Sequence, residues 1–428
     1  MKSFFKNYKF SIILLGSIIL GAIIGVLLGS KALVLKPFGD LFLNLMFMVI
    51  IPLVFFSVTS AIANMKGMKR LGRIMASTFV VFLCTALAAS IIGLIGALIV
   101  NPARGIDYSS LKKIVTSGGG AAEKVKQVGL LQQIVNTLTV SDFISLFSKS
   151  NMLQLIVFSV LFGISTSALG EKAEPVAKFL EAASNVMMKM VKIIMYYAPI
   201  GLGCYFAAVI GSLGPQILQG YLRVFLLYIA ISVIYYFGFF TFYAFLAGGK
   251  NAIKIFWKNA VAPTVTALAT CSSAASIPVN LECTKKMGVS NDIVETVIPL
   301  GANIHKDGSV IGGVMKITFL FGLFGRNMTS VTAILSIIFV SFLVGAVMAA
   351  IPSGGMIGEM LILSVYGLPT ELLPIIAVIS VIIDAPATVL NSTGNTVSSM
   401  VISRLVEGKL TFEKKYGIME DKEDCKIV

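Results

Sequence analysis

The chain has almost nothing with which to build a metal centre of the usual kind. Its single histidine, His305, rules out any multi-histidine site. Its five cysteines (Cys84, Cys204, Cys271, Cys283 and Cys425) show no paired spacing, so neither a zinc site nor a disulfide framework is expected. No His-Glu-x-x-His pair and no serine elbow occurs, which removes the common hydrolase signatures. Charge is scarce as well. Only 13% of the 428 residues are charged and 57% are hydrophobic, too apolar for one soluble domain. The apolar runs are long and continuous, not alternating, which excludes a strand barrel and leaves an all-α polytopic membrane protein.

The formal net charge is +14, but its distribution does not suit nucleic acid. Lys2, Lys6 and Lys9 precede the first apolar run. Lys66, Lys69, Arg70 and Arg73 lie between the second and third. Lys250, Lys254 and Lys258 follow a later run, and Lys409, Lys414 and Lys415 follow the last. This is the positive-inside pattern of a multi-pass protein of the plasma (inner) membrane, with both termini cytoplasmic and lipid, not nucleic acid, around it. The first run is too long for a signal peptide and lacks a small-residue cleavage site, so it is expected to be an anchor.

Spans are expected over 10–29, 40–64 and 74–100, each meeting the roughly 20 residues needed to cross the hydrocarbon core. Asn101-Pro102 ends the third. Residues 103–148 are polar and glycine-rich, an expected outside loop. Further apolar runs lie at 152–169, 176–212 and 219–248. Gly16, Gly21, Gly25 and Gly29 form a small-residue stripe suited to close helix packing.

After residue 250 the pattern changes. The run 252–283 is interrupted by a small-residue stretch, Ala267 to Pro278. The run 329–366 is interrupted by Ala349-Ala350-Ile351-Pro352-Ser353-Gly354-Gly355. Each is followed by a full span. Two broken apolar segments in corresponding positions predict a transporter with internal inverted repeats, the breaks being tips of re-entrant hairpins. Exposed amides and half-helix N-termini at such tips suit an anionic group.

Between the hairpins lies Asn303-Ile304-His305-Lys306-Asp307-Gly308-Ser309. One Lys or Asp at a bilayer centre costs about 2.5–3.5 kcal/mol on insertion scales, so such a cluster must face protein or a water-filled cavity with its charges paired. Gly308 is expected to let the helix unwind and free backbone carbonyls. In the last span Ser380, Asp384, Thr388, Asn391 and Asn395 recur at spacings of 4, 4, 3 and 4, one helical face of ligands. Pro386 releases the carbonyl of Ile382 on that helix. Asp384 has no arginine nearby in sequence, and its natural partner is a ligand amino group. Asn391 can donate to a carboxylate.

These residues resemble the dicarboxylate/amino acid:cation symporter family, which includes the glutamate transporters. The motifs are the first tip, Thr270 to Pro278; the seventh-span cluster, His305 to Ser309; the last-span signature, Asp384 to Asn395; and Asn101-Pro102. The resemblance implies eight transmembrane helices plus two re-entrant hairpins, an elevator mechanism and a homotrimer. It implies scaffold segments at 1–73 and 149–214. It implies a transport unit of 74–102 and 215–408, and a cytoplasmic tail at 409–428. Asp384 would bind the substrate amino group. Asn391, Ser272 and Ser273 would hold its α-carboxylate. Thr388, Ala387 and the second tip (Ile351, Pro352, Ser353, Gly354) would lie beside the substrate. The cation ligands would come from Thr85, Asn303, His305, Lys306, Asp307, Asn391 and Asn395, with sodium possible at Asp307. No cofactor is implied beyond a coupling sodium ion or proton.

The departures from the family pattern carry information. The arginine of acidic-substrate members is Ala387, and the arginine sometimes found in the first tip is Cys271. An acidic side chain would be buried without a partner, which is heavily disfavoured. The expected substrate is therefore a small neutral amino acid, serine-, threonine- or alanine-like. The alternatives are an acidic amino acid or dicarboxylate held by Lys306, or amino acid exchange. The family's cation ligands are altered too: an aspartate is Asn395, a methionine is Lys306, an asparagine is His305, and Phe82 and Ala86 stand for two hydroxyls. The ammonium of Lys306, paired with Asp307, is expected to stand in for sodium, making transport sodium-independent or proton-coupled. Lys306, His305 and Glu359 are the candidate titrating groups, Glu359 being otherwise an interfacial, solvated carboxylate. Two further classes compete: a channel, which lacks a repeated carbonyl motif, and an intramembrane hydrolase on Asp307, Asp384 or His305.

Overall fold

The computed structural model describes residues 2–63, 69–103, 135, 139–148, 151–213, 216–348 and 354–408. Among these there is no strand, and the apolar runs become helices. The first three are α1 (Lys2–Leu28), α2 (Lys36–Ala63) and α3 (Lys69–Val100). The region 103–148 lies mostly outside the described residues. Its described end carries one turn of helix, α4 (Phe143–Leu146), whose first amides are capped by the Asp142 carboxylate. The run 152–169 is α5 (Met152–Leu169).

The run 176–212 is not one helix. It divides into α6 (Glu174–Met195) and α7 (Ala198–Leu213) at Tyr196-Tyr197. α6 is amphipathic, with Leu180, Ser184 and Val191 buried and Phe179, Val186 and Ile193 exposed. α7 packs along α1, and here the glycine stripe has its use. A Cβ on Gly21 would lie 2.3 Å from the Gly203 carbonyl oxygen, and one on Gly25 2.5 Å from that of Ala207. Gly16, on the same helix, has nothing within 4 Å. Gly21→Leu is therefore expected to cost roughly 1–3 kcal/mol or more through forced helix separation. Gly16→Leu should leave the thermal unfolding midpoint in detergent unchanged.

The rest of the chain surrounds one long central helix. α8 (Gln216–Ile234) passes through a single π-helical turn, Tyr235–Phe239, into α9 (Phe240–Thr270). α9 is kinked at Gly248-Gly249 and ends on Cys271, whose φ of +47° is left-handed. The chain turns over residues 271–276 and returns as α10 (Ile277–Lys286), packed on α9. That is the first hairpin, broken where the small-residue stretch predicts.

α11 (Asn291–Ile304) and α12 (Asp307–Leu323) make up the next segment. The break falls at His305-Lys306, not at Gly308. Gly308 is helical and fully packed: a Cβ there would lie 2.5 Å from the Ala387 carbonyl oxygen. Glycine is needed for close approach to the last helix, not for unwinding.

α13 (Val331–Val347) and α14 (Gly354–Val365) are the arms of the second broken segment and pack together. The expected tip residues Ile351, Pro352 and Ser353 lie outside the described residues, and Gly354 opens α14. α15 (Leu373–Glu407) runs unbroken through Pro386 and touches α3, α8, α9, α10, α11, α12 and α14. It is the element against which the hairpins and the 303–309 cluster are assembled. Five stretches among the described residues are long and apolar enough to cross a membrane.

Candidate substrate site

Two polar centres form where α15 meets the broken segment between α11 and α12. The first is closed around Asp307, which is buried. Thr85 of α3 donates its hydroxyl to Asp307 Oδ1 at 3.1 Å, and Tyr235 donates to Oδ2 at 2.8 Å. His305 Nε2 lies 3.2 Å from Oδ2 and 3.0 Å from Thr85 Oγ1, with the Phe82 ring against the imidazole at 4.5 Å. Tyr243 reaches Tyr235 at 3.0 Å. Tyr235 can occupy this position because it sits in the π-helical turn, where the extra residue re-aims its side chain toward α3 and α12.

This packing corrects two expectations. Lys306 is not paired with Asp307; its ammonium turns the other way. Both oxygens of Asp307 are approached instead by the Thr85 and Tyr235 hydroxyls and by His305. Asn303 is exposed, with its amide donating to the Pro299 carbonyl at 3.1 Å one turn back, and is not part of the cluster. Asn395 is fully buried with neither amide atom partnered among the described residues, and its Oδ1 lies 2.4 Å from where a Gly301 Cβ would be. Tyr235→Phe is expected to lower stability by about 1–3 kcal/mol, because it strips a donor from a buried carboxylate. A lowered melting midpoint in detergent checks it.

The second centre is open. Lys306 is buried and donates from Nζ to Ser273 Oγ of the first tip at 3.2 Å. Among the described residues it has no ion-pair partner. Asp384 of α15 is exposed and, among the described residues, has neither a hydrogen bond nor an ion pair. The two act on each other through space. Asn391 accepts from the Ser309 amide at 3.2 Å and donates to Ser309 Oγ at 3.0 Å. That bond holds the start of α12 on α15 and leaves the second amide N–H of Asn391 for a ligand. Thr388 and Ala387 are buried on the same stretch of helix. Ser272 is turned into its own tip, accepting from the Ala275 amide at 3.2 Å, so Ser273 is the tip serine that faces the centre.

The expected ligand face of α15 is thus divided. Asp384, Thr388 and Asn391 belong to the open centre. Asn395 lies deeper, beside Gly301. Ser380 belongs to a third group, an ion pair between Lys316 of α12 and Glu359 of α14. Glu359 is fully buried, not an interfacial, solvated carboxylate. Sequence reasoning missed Lys316, although a lysine inside the apolar run 310–323 and a glutamate inside 354–365 are the signal that intramembrane charges give. It also missed Tyr228, which donates to the Gly308 carbonyl at 2.8 Å. Asn280 was missed as well; it ties α10 to α15 through the Ser392 carbonyl and hydroxyl at 3.0 and 2.9 Å. Buried tyrosine hydroxyls in apolar helices carry no periodic signal that separates them from core.

Broken helices that bring unpaired charges of both signs against a continuous polar helix define a carrier for a small charged solute. Residues 10–405 match the Sodium:dicarboxylate symporter family, and the chain belongs to that family. It is 29% identical over 410 residues to the Proton/sodium-glutamate symport protein of Bacillus caldotenax, covering 93% of this chain and 95% of that one. It is 31% identical over 400 residues to the Proton/sodium-glutamate symport protein of Bacillus subtilis, covering 90% of each. The C4-dicarboxylate transport protein of Bacillus subtilis is 29% identical over 414 residues, with 94% of each chain covered.

Proposed function

We propose that the protein is a secondary transporter of a small neutral amino acid, serine-, threonine- or alanine-like. One observation carries this reading: the open centre holds one carboxylate, Asp384, and one ammonium, Lys306, neither with an ion-pair partner among the described residues. A zwitterion matches that set. Its amino group pairs with Asp384, and its carboxylate takes Lys306, Ser273 and the spare N–H of Asn391. Each charge of the centre then has a partner. A dicarboxylate would leave Asp384 facing an anion. An acidic amino acid would leave its second carboxylate beside Ala387, with Lys316 already engaged by Glu359.

The acidic reading is supported by the relatives, whose names specify glutamate and C4-dicarboxylates. On coupling, the donors around Asp307 favour transport that does not use sodium at that carboxylate, leaving the proton as the driving ion. The clusters of Lys and Arg between apolar runs support an inner-membrane protein with cytoplasmic termini. Family membership supports a homotrimer whose hairpin-bearing unit moves against a scaffold. Uptake of radiolabelled serine, threonine, alanine and aspartate into proteoliposomes tests the reading, with an inward sodium gradient, an inward proton gradient, or neither. Neutral substrates taken up without sodium are expected. Sodium-driven aspartate uptake would overturn both the substrate and the coupling assignments.

A further inference from the structure

Lys316, Ser380 and Glu359 form a group that substrate binding, as described above, does not use. They come from three elements: α12, α15 and the second hairpin arm α14. Lys316 Nζ lies 3.1 Å from Glu359 Oε1, with side chains 2% and 0% exposed. The Ser380 hydroxyl sits between them, accepting from the ammonium and donating to the carboxylate. Glu359 Oε2 has no hydrogen-bond partner among the described residues, so Lys316 is the only charge this glutamate meets there.

The position of the group matters more than its strength. Ser380 is four residues before Asp384 on one continuous helix, so the two side chains stand one turn apart, with Cβ atoms about 5–6 Å from each other. An ammonium resting on Ser380 is therefore a short swing from Asp384. A lysine head on a flexible four-carbon stem makes that swing easily. Without Glu359 the Lys316 ammonium keeps no carboxylate of its own, and Asp384, one turn from Ser380, is the carboxylate it would be drawn to. Asp384 would then be closed to a ligand amino group. It stays free because a second carboxylate, brought in by the hairpin arm, takes the lysine first.

We propose that Glu359 is a positioning residue for substrate recognition: through Ser380 it holds the Lys316 ammonium off Asp384 and so keeps that carboxylate open to the substrate's amino group. The proposal rests on the reading of Asp384 as the amino-group site. It makes the second hairpin arm part of substrate selection without any contact between Glu359 and substrate.

The test is the concentration dependence of L-serine uptake by proteoliposomes of the full chain, or of L-aspartate if the vesicles take up that instead. Glu359→Gln releases Lys316. If the lysine then occupies Asp384 for 90–99% of the time, the apparent KM rises by about 10- to 100-fold, with kcat changed little. The double variant Glu359→Gln/Lys316→Met removes the competitor as well, and its KM is expected to return to within a few-fold of wild type. A merely structural role for the ion pair would not produce that rescue. An unchanged KM in Glu359→Gln, or a KM in the double variant as high as in the single one, overturns the proposal. Should Glu359→Gln not fold, Glu359→Asp takes its place: the shorter carboxylate holds Lys316 less well, so a raised KM that the added Lys316→Met restores is expected, and an unchanged KM overturns the proposal. Asp384→Asn in the same preparation separates the two layers: wild-type uptake by that variant would refute the amino-group site itself, whatever Glu359→Gln does.

Discussion

Asp384→Asn is expected to raise the KM for a neutral amino acid by about 30-fold or more, with the protein folded and its melting midpoint unchanged or higher. Removing one partner of a desolvated charge pair costs about 2–5 kcal/mol, and each 1.4 kcal/mol is tenfold in affinity. Stability should not fall, because Asp384 makes no hydrogen bond or ion pair to lose among the described residues. The asparagine has the same shape and can still accept one hydrogen bond from an ammonium, so the loss measures charge and not packing. A hydroxy acid in place of the amino acid supplies the control. Lactate lacks the ammonium, so it should compete poorly with serine in the wild type and relatively better in Asp384→Asn. A change in serine KM of less than about fivefold, against the 2–5 kcal/mol expected of a truncated pair, would mean that the amino group binds elsewhere.

The prediction depends on features of unequal legibility. The two breaks in apolar runs were readable, because proline, glycine and serine clusters inside otherwise continuous runs have few other uses at membrane depth. The first lies at 271–276, inside the expected stretch, while the second tip itself is outside the described residues. The division of 176–212 into α6 and α7 was missed although Tyr196-Tyr197 is less apolar than the isoleucines around it and Pro199 follows, a common mark of a helix boundary. The stripe on α15 was correct as a periodicity but not as a single site. A 35-residue helix touches different neighbours along its length, so Ser380, Asp384 and Asn395 share a face and still lie in different surroundings. Above all, the pairing of Lys306 could not be read from its neighbour Asp307. The backbone leaves the helix at His305-Lys306, with φ, ψ of −88°, 105° and −136°, 47°. Two consecutive non-helical residues send adjacent side chains to opposite sides, the lysine to the tip and the aspartate to Thr85 and Tyr235. Sequence adjacency suggests an ion pair only while the backbone stays regular.

Lys306→Met distinguishes the two roles open to that lysine. If the ammonium were a tethered substitute for sodium, removing it would leave the carboxylate of Asp307 exposed to solvent cations, and uptake would become sodium-stimulated with substrate affinity preserved. The structure leads to the opposite expectation. Asp307 already accepts from Thr85 and Tyr235 and lies against His305, so it loses no partner when Lys306 is shortened. What is lost is the cation beside Ser273, where the substrate carboxylate is held. A charge-assisted bond to a carboxylate is worth about 1.5–3 kcal/mol, so the KM for serine should rise by about 10- to 150-fold. Sodium dependence should stay as it is in the wild type. Lys306→Arg should recover part of the affinity, because a guanidinium also meets a carboxylate but with a planar fork in place of a point charge. Uptake is measured with sodium and with choline outside, at matched proton gradients. Wild-type KM together with new sodium stimulation would return Lys306 to the cation site. A raised KM with no sodium response would place its ammonium on the substrate, opposite Asp384, as the second of the two charges that select a zwitterion.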